Sequence, residues 1–380
     1  MNAVMYGAGN IGRGFIGQLL YESGYNVCFV DIDPDLIMRL NKERRYPVRV
    51  LKDDEVSECF VENVSAVNGY DENAVSEKIA NADIMATAVG VNILKYIAKT
   101  IALGIEKRYC VNKKPLDIII CENMIGADKY FRDLVGQELP LNIKSWFIKN
   151  IGFVEASIGR MVPVQTKEMT GDIPLRICVE AYNILPVDKK AFKGGIPKIK
   201  NLAPFSPFSF YIERKLYIHN MGHSLCAYLG DCFNDEYIWQ AVDRPFIYSA
   251  AKNAMNESAA ALAVLYSADL NELKTHVDDL LLRFSNRQLN DTVVRVGRDL
   301  RRKLSPDDRL VGAIRLCKKA GVPYDSICLA YAAALCFKKD DLTKNITAER
   351  IMTEVSGLST DADEYRLILK EYKKLIKISS

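Results

Sequence analysis

Paired cysteines, plentiful histidine, long apolar runs and an excess of one charge are all missing from this chain of 380 residues. Ten cysteines occur, yet none stand as C-x-x-C and their spacing is irregular. Structural zinc sites use Cys or His in short pairs, so this pattern argues against one. Cys28, Cys121, Cys178 and Cys328 lie in apolar runs, where reduced cysteine acts as a small hydrophobe. A reducing cytoplasm is the expected setting. The most apolar stretches, 84–94 and 258–268, each hold 11 residues without a charge, against the roughly 20 that span a bilayer. No basic segment followed by a short apolar run opens the chain, so no secretory signal is expected. Lys plus Arg number 51 and Asp plus Glu 48, leaving +3. Nucleic-acid domains are far more basic, with clustered Lys and Arg, so neither a nucleic acid nor a membrane is expected as a partner. No obligate protein partner is evident either.

What is present is an ordinary globular composition, 49% hydrophobic and 26% charged, which excludes wholesale disorder. At about 150 residues per domain, the length suits two or three domains. The first 120 residues alternate short apolar runs (2–6, 26–30, 83–88, 117–121) with helical patterns at 11–22 and 92–101. Such alternation predicts βαβ units and a parallel sheet covered on both faces. Further strands are expected near 152–156 and 175–182. The stretch 189–207, rich in Lys, Pro, Gly and Ser, reads as a loop and a domain junction. Beyond it every pattern is helical: 211–229, 235–253, 257–265, 270–284, 291–304, 306–320, 326–336 and 362–376. The expected fold is an α/β Rossmann-type doubly wound domain over 1–207, followed by an all-helical domain over 208–380.

Two constellations carry chemistry. The first strand runs into Gly7-Ala8-Gly9-Asn10-Ile11-Gly12, a GxGxxG turn in strand-to-helix context. Its glycines permit a tight turn, backbone approach to a pyrophosphate, and close helix packing, and the helix N-terminus faces the phosphate charge. Asp31 ends the second strand, where an acid hydrogen-bonds an adenosine ribose and repels a 2′-phosphate. The pairing predicts NAD rather than NADP; the competing reading is a glycine-rich turn that binds nothing.

The second constellation is Lys215-x3-His219-Asn220-x2-His223. At about 100° per residue, Lys215 lies near 0°, His219 near 40°, His223 near 80° and Asn220 near 140°, one helical face. Lys215 would take the hydroxyl proton as hydride leaves carbon, Asn220 would hold the developing oxyanion, and His223 would orient substrate hydroxyls. To act as base the lysine must fall from about 10.4 toward 7–8, which burial beside a positive nicotinamide favours. Two plainer readings compete: a solvated polar face, and a zinc pair at His219 and His223. The zinc reading lacks its glutamate, because Asn220 stands there, and the only other histidine is His276. No metal is therefore expected. Gly222 inside the helix signals close packing.

With GAGNIGRG at 7–14, TAVG at 87–90, CENM at 121–124 and Lys215-x4-Asn220-x2-His223, the chain resembles the polyol-specific long-chain dehydrogenases of the mannitol dehydrogenase family. The likeness covers essentially the whole chain, including RFSNRQLNDTVVRVGRDLRRKL at 283–304. It implies metal-independent, NAD-dependent interconversion of D-mannitol 1-phosphate and D-fructose 6-phosphate. The alternatives are the same chemistry on another polyol, sugar phosphate or hexuronate, or a non-catalytic NAD-binding redox sensor. It also implies Lys215 as general acid/base, Asn220 and Asn123 as groups polarising the carbonyl, His223 as a substrate contact and Val89 among the cofactor contacts. A phosphorylated substrate needs cationic anchors; Arg298, with Arg295, Arg302 and Lys303, is a candidate cluster, set against an ordinary basic helix face.

The chain departs from the family on the expected substrate side. Gly159 stands where relatives keep an acid near the lysine, Ile184-Leu185 replaces Glu-Trp, and His219 replaces an apolar residue. Glu155 is the carboxylate available nearby to substitute for the missing acid.

Overall fold

The structure is a computed structural model that describes residues 1–52 and 55–379. It divides into two compact units, Met1–Phe208 and Ser209–Ser380. In the first, the strands are β1 (Asn2–Tyr6), β2 (Asn26–Asp31), β3 (Arg45–Lys52), β4 (Glu55–Glu62), β5 (Ser65–Asn68), β6 (Ile84–Thr87), β7 (Leu116–Ile120), β8 (Ile151–Glu155), β9 (Ile177–Glu180), β10 (Leu185–Asp188) and β11 (Leu202–Phe205).

The main sheet runs β5-β2-β1-β6-β7-β8, with every neighbouring pair parallel. Counted along these six strands the order is 3-2-1-4-5-6, the doubly wound Rossmann arrangement. Alternation along β1 sends Ala3 and Met5 into one core and Val4 and Tyr6 into the other. Both faces are thus buried, which is why these strands read as unbroken apolar runs. The order reverses between β1 and β6, and a doubly wound sheet takes its ligand at that crevice, beyond the strand ends. The glycine turn leaves β1 there, and Val89 follows β6.

Two smaller sheets hold one strand the sequence predicts, β9, and four it does not, β3, β4, β10 and β11. β3 and β4 pair antiparallel and β3 adds β9 in parallel. Most of β4 is exposed, so its hydrophobic alternation was too thin to announce a strand. β11 lies inside the stretch read as loop and pairs in parallel with β10; Pro204 is tolerated there because β11 is an edge strand of its two-stranded sheet.

Among the described residues, the second unit has no strand, only an isolated bridge between Tyr237 and Thr292. Its first helical segment is continuous from Ser209–Arg214 through Lys215–Asn220 to Met221–Cys232. Met221–Cys232 packs against Pro245–Tyr266 and Asp325–Cys336, and Asp363–Ser379 covers Asp325–Cys336. A side-chain carbon on Gly222 would collide with Met255, which accounts for the glycine. The helix expected over 270–284 is present as Leu270–Phe284. The pattern over 235–253 instead breaks, because Pro245 lacks an N–H and starts a new helix at its first turn. The pattern over 291–304 splits where Asp299 takes a left-handed φ of 66°.

Candidate active site: a nucleotide cradle and a polar helix face

The cradle belongs to the first unit. Gly7 sits at φ +99°, and a side chain there would meet the Ala88 carbonyl oxygen at 2.5 Å. A side chain at Gly12 would strike the carbonyl oxygen of Gly7. These two glycines close the turn. Gly9 differs: nothing lies within 4 Å of where its side chain would stand. That opening beside a helix N-terminus suits a pyrophosphate. Asn10 and Ile11 begin the helix, and Gly12–Gly17 form a widened π-turn within it.

Asp31 is fixed beside this turn. Its Oδ2 accepts the Ala8 N–H at 2.7 Å, and Oδ1 accepts the N–H groups of Ile32 and Asp33 at 2.8 and 3.1 Å. The carboxylate therefore reinforces the loop it was expected to serve. The fit to a dinucleotide with a free ribose diol is good: an open glycine for the phosphates and a fixed acid for the hydroxyls.

Two groups missed from sequence brace the cradle. Glu122, within the CENM segment, accepts the N–H of Val89 at 3.0 Å and of Gly90 at 2.8 Å. It thereby fixes the loop after β6 from the end of β7. The buried Arg160 guanidinium donates to the carbonyls of Gly14 and Glu180 and to Gln18 Oε1, with burial lowering its pKa to about 10. Arg13 lies beside the glycines but turns inward, donating to the carbonyl oxygens of Ala8 and Leu175. Asn123 is exposed at the end of the same CENM segment. Glu155 accepts the Gly126 N–H at 2.8 Å, so its carboxylate already caps the helix Ala127–Glu138. A side chain on Gly159 would begin 3.1 Å from the Tyr182 ring, a tight approach that requires the ring to give slightly.

The second unit carries the polar face, and its geometry differs from the expected one. Lys215–Asn220 forms a π-turn inside the helix. Bonding from i to i+5 widens the turn to about 4.4 residues, so Asn220 falls about 50° from Lys215 rather than about 140°. Returning to α-geometry, His223 comes nearly into line with Lys215. The widened turn thus gathers the three residues more tightly than a regular helix would, and such turns recur at functional sites. Asn220 also presents its carbonyl oxygen to side chains. Ser224 Oγ donates to it at 2.8 Å, and the buried Arg309 reaches it at 3.5 Å.

All three histidines of the chain meet here. His219 is 7% exposed, and its ring centroid lies 6.1 Å from that of His223. Burial drives its pKa far below the usual value, and the charges of Arg283 and Lys215 and the rings of His223 and His276 add to the effect. It is a buried, neutral ring. His276 is pushed down to about 3 by burial and by Arg214 and Arg283. His223 stacks on Phe284 at 4.6 Å with 10° between planes, and its Nε2 lies 3.1 Å from Asp291 Oδ2.

The basic cluster divides. Arg295 grips Asp291 with two 2.6 Å bonds, and Arg302 pairs with Asp299 and Asp308. Lys303 is buried, donates to the Val296 carbonyl, and is lowered to about 7 by burial and by Arg309 and Arg302. Arg298 is exposed, as are Arg295 and Arg302, whose guanidinium groups face these carboxylates. Among the described residues no group of His, Cys, Asp and Glu could hold a metal ion, and no helix is long and apolar enough to cross a membrane.

Comparison with known proteins follows the same division. The mannitol dehydrogenase Rossmann domain matches residues 1–201, and the mannitol dehydrogenase C-terminal domain matches residues 208–364. A mannitol-1-phosphate 5-dehydrogenase of Brevibacillus brevis is 40% identical over 337 residues, 89% of this chain and 86% of that protein. One from Thermoanaerobacter pseudethanolicus is 34% identical over 384 residues, 99% of this chain and 98% of its own. In three dimensions, a substrate-free D-sorbitol dehydrogenase superposes with a TM-score of 0.80 at 13% identity, covering 99% of this chain and 94% of that one. The mannitol 2-dehydrogenase of Pseudomonas fluorescens, solved with NAD and D-mannitol, gives 0.73 at 13% identity, covering 100% and 93%.

Proposed function

Because the chain belongs to the mannitol dehydrogenase family, we propose that it is an NAD-dependent oxidoreductase interconverting D-mannitol 1-phosphate and D-fructose 6-phosphate. The observation that carries the proposal is the π-turn that aligns Lys215, Asn220 and His223 on one helix. The two relatives of 34 and 40% identity, both mannitol-1-phosphate 5-dehydrogenases, supply the substrate.

Gly7, Ala8, Gly9, Asn10, Ile11, Gly12, Asp31 and Val89 would hold NAD. Bound there, the nicotinamide supplies the acceptor and donor of hydride. In the reducing direction Lys215 Nζ gives a proton to the ketone oxygen, and in the oxidising direction it takes the hydroxyl proton. Asn220 and Asn123 donate to that oxygen as negative charge grows on it. His223 holds a neighbouring hydroxyl. Arg214, Lys215 and Arg283 place positive charge near His219 and His276, where it adds to the larger effect of burial; a cationic surround favours an anionic sugar phosphate over a neutral polyol. Arg298 is the further candidate anchor for the phosphate. Ten free cysteines support a cytoplasmic enzyme.

The test is product identification. Incubated with NAD and D-mannitol 1-phosphate, the protein should yield NADH and fructose 6-phosphate in equal amounts, read by absorbance and phosphorus NMR. NADH formed with mannitol or a hexonate but not with the phosphate would transfer the chemistry to a different substrate. NADH formed with none of them would remove the catalytic reading.

A further inference from the structure

We propose that Asp291 is a positioning residue: it fixes the His223 ring and keeps the proton on Nε2, so that Nδ1 is the atom that accepts a substrate hydroxyl. The inference rests on His223 contacting substrate, as proposed above.

The geometry surrounds the ring on two sides. Phe284, the last residue of Leu270–Phe284, lies parallel to one face at 4.6 Å. Asp291 meets the ring edge, Oδ2 standing 3.1 Å from Nε2. Asp291 itself has little freedom. Arg295 binds its two carboxylate oxygens in a paired fork at 2.6 Å each, and its carbonyl accepts the Ile238 N–H at 2.9 Å. His223 and Asp291 side chains are only 12% and 11% exposed. A carboxylate buried to this degree would ordinarily tend to protonate. Here burial raises its pKa, but His223 and Arg295 outweigh that and hold it at about 2.

An ionised carboxylate accepts hydrogen bonds and cannot donate one. Facing Nε2, it requires the proton there, and the neutral ring then keeps its lone pair on Nδ1. The choice matters because an alcohol contact needs an acceptor: the other tautomer would present an N–H to the hydroxyl proton. The Nε2 contact is short but has no well-directed hydrogen bond. Active-site hydrogen bonds are commonly bent without substrate and tighten in the complex. Loading Nδ1 with a hydroxyl is the event that straightens this one.

The test uses the full-length protein labelled with nitrogen-15 at histidine, which carries just three rings; His223→Asn identifies the ring by the signal it removes. At pH 8 the wild type should show His223 protonated at Nε2 and bare at Nδ1. In Asp291→Asn the two tautomers should mix. Kinetically, Asp291→Asn should cut kcat/KM for fructose 6-phosphate by about 10–100-fold, mainly through KM, while NADH affinity is unchanged. In a His223→Ala background the same substitution should cost less than about twofold, because its target is gone. A wild-type ring protonated at Nδ1 overturns the proposal whatever the variants do. So does an equal loss from Asp291→Asn in both backgrounds, the mark of a structural ion pair. A wild type that fails to reduce fructose 6-phosphate refutes the proposed function alone; the ring spectra still decide the tautomer.

Discussion

The nucleotide cradle and the polar helix face are built by different rules. In the cradle the backbone does the work. Gly7 and Gly12 are excluded from carrying side chains by carbonyl oxygens, Gly9 is left open, and Asp31 and Glu122 bind N–H groups of the loops that form it. On the helix face the side chains do the work, and the backbone departs from regularity to let them: a π-turn, a carbonyl held by Ser224 and Arg309, and a histidine wedged between Phe284 and Asp291. A backbone site leaves a compact signature in sequence because it needs glycine at fixed spacing. A side-chain site on a helix depends on partners far along the chain, and its signature is partial.

The contrast is sharpest in turnover. Lys215→Ala should lower turnover at least ~100-fold, the lower range for losing a general acid/base, and leave NADH affinity within twofold. Rapid-mixing kinetics with calorimetry on the same preparation separates the two. Turnover kept within a few-fold would mean that the helix face does not move the proton.

A smaller effect probes the cradle. Asp31→Ser should narrow the preference for NADH over NADPH by about tenfold or more, since a carboxylate beside a 2′-phosphate costs a few kcal/mol at an effective dielectric near 20. Turnover with saturating NADH should change little. Equal affinities for both cofactors in the wild type would show that Asp31 only braces the Ala8 loop.

Gly222→Ala tests whether the helix face is held by packing. The added carbon meets Met255, and overpacking of this kind costs about 1–3 kcal/mol, a fall in Tm of several degrees. The smallest effect is acid sensitivity. His219 is neutral in the native state with its pKa well below 6.5. Above 6.5 both states are uncharged and the native state loses nothing; below it the unfolded chain takes a proton that the buried ring refuses, so stability falls. His219→Leu should make Tm decline less between pH 7 and 5 than in the wild type. Parallel curves would place the acid-labile group elsewhere.

How much was legible follows from the same contrast. The six parallel strands of the main sheet are continuous apolar runs because both faces are buried, so all but the short β5 were read to within a residue or two. β4 escaped because one side faces water, and β11 because Pro204 and a lysine-rich approach look like a loop. The break at Pro245 was written in the sequence but outweighed by helical periodicity. The helix that carries Lys215, Asn220 and His223 is legible from periodicity, though no residue announces its π-turn. Asp291 and Arg309 were invisible as partners: they reach the motif from 68 and 89 residues away, and only folding brings them in. Lys303 reads as a member of the candidate phosphate-anchoring cluster, yet folding buries it, and burial lowers its pKa to about 7.

Central to the proposed function is a preference for a phosphorylated sugar. The direct measurement is initial-rate NADH oxidation against fructose 6-phosphate, fructose and keto-uronates, each over a full concentration range. The account predicts kcat/KM for fructose 6-phosphate at least 100-fold above that for fructose, and no measurable rate with keto-uronates. A higher kcat/KM for fructose or a keto-uronate would contradict it.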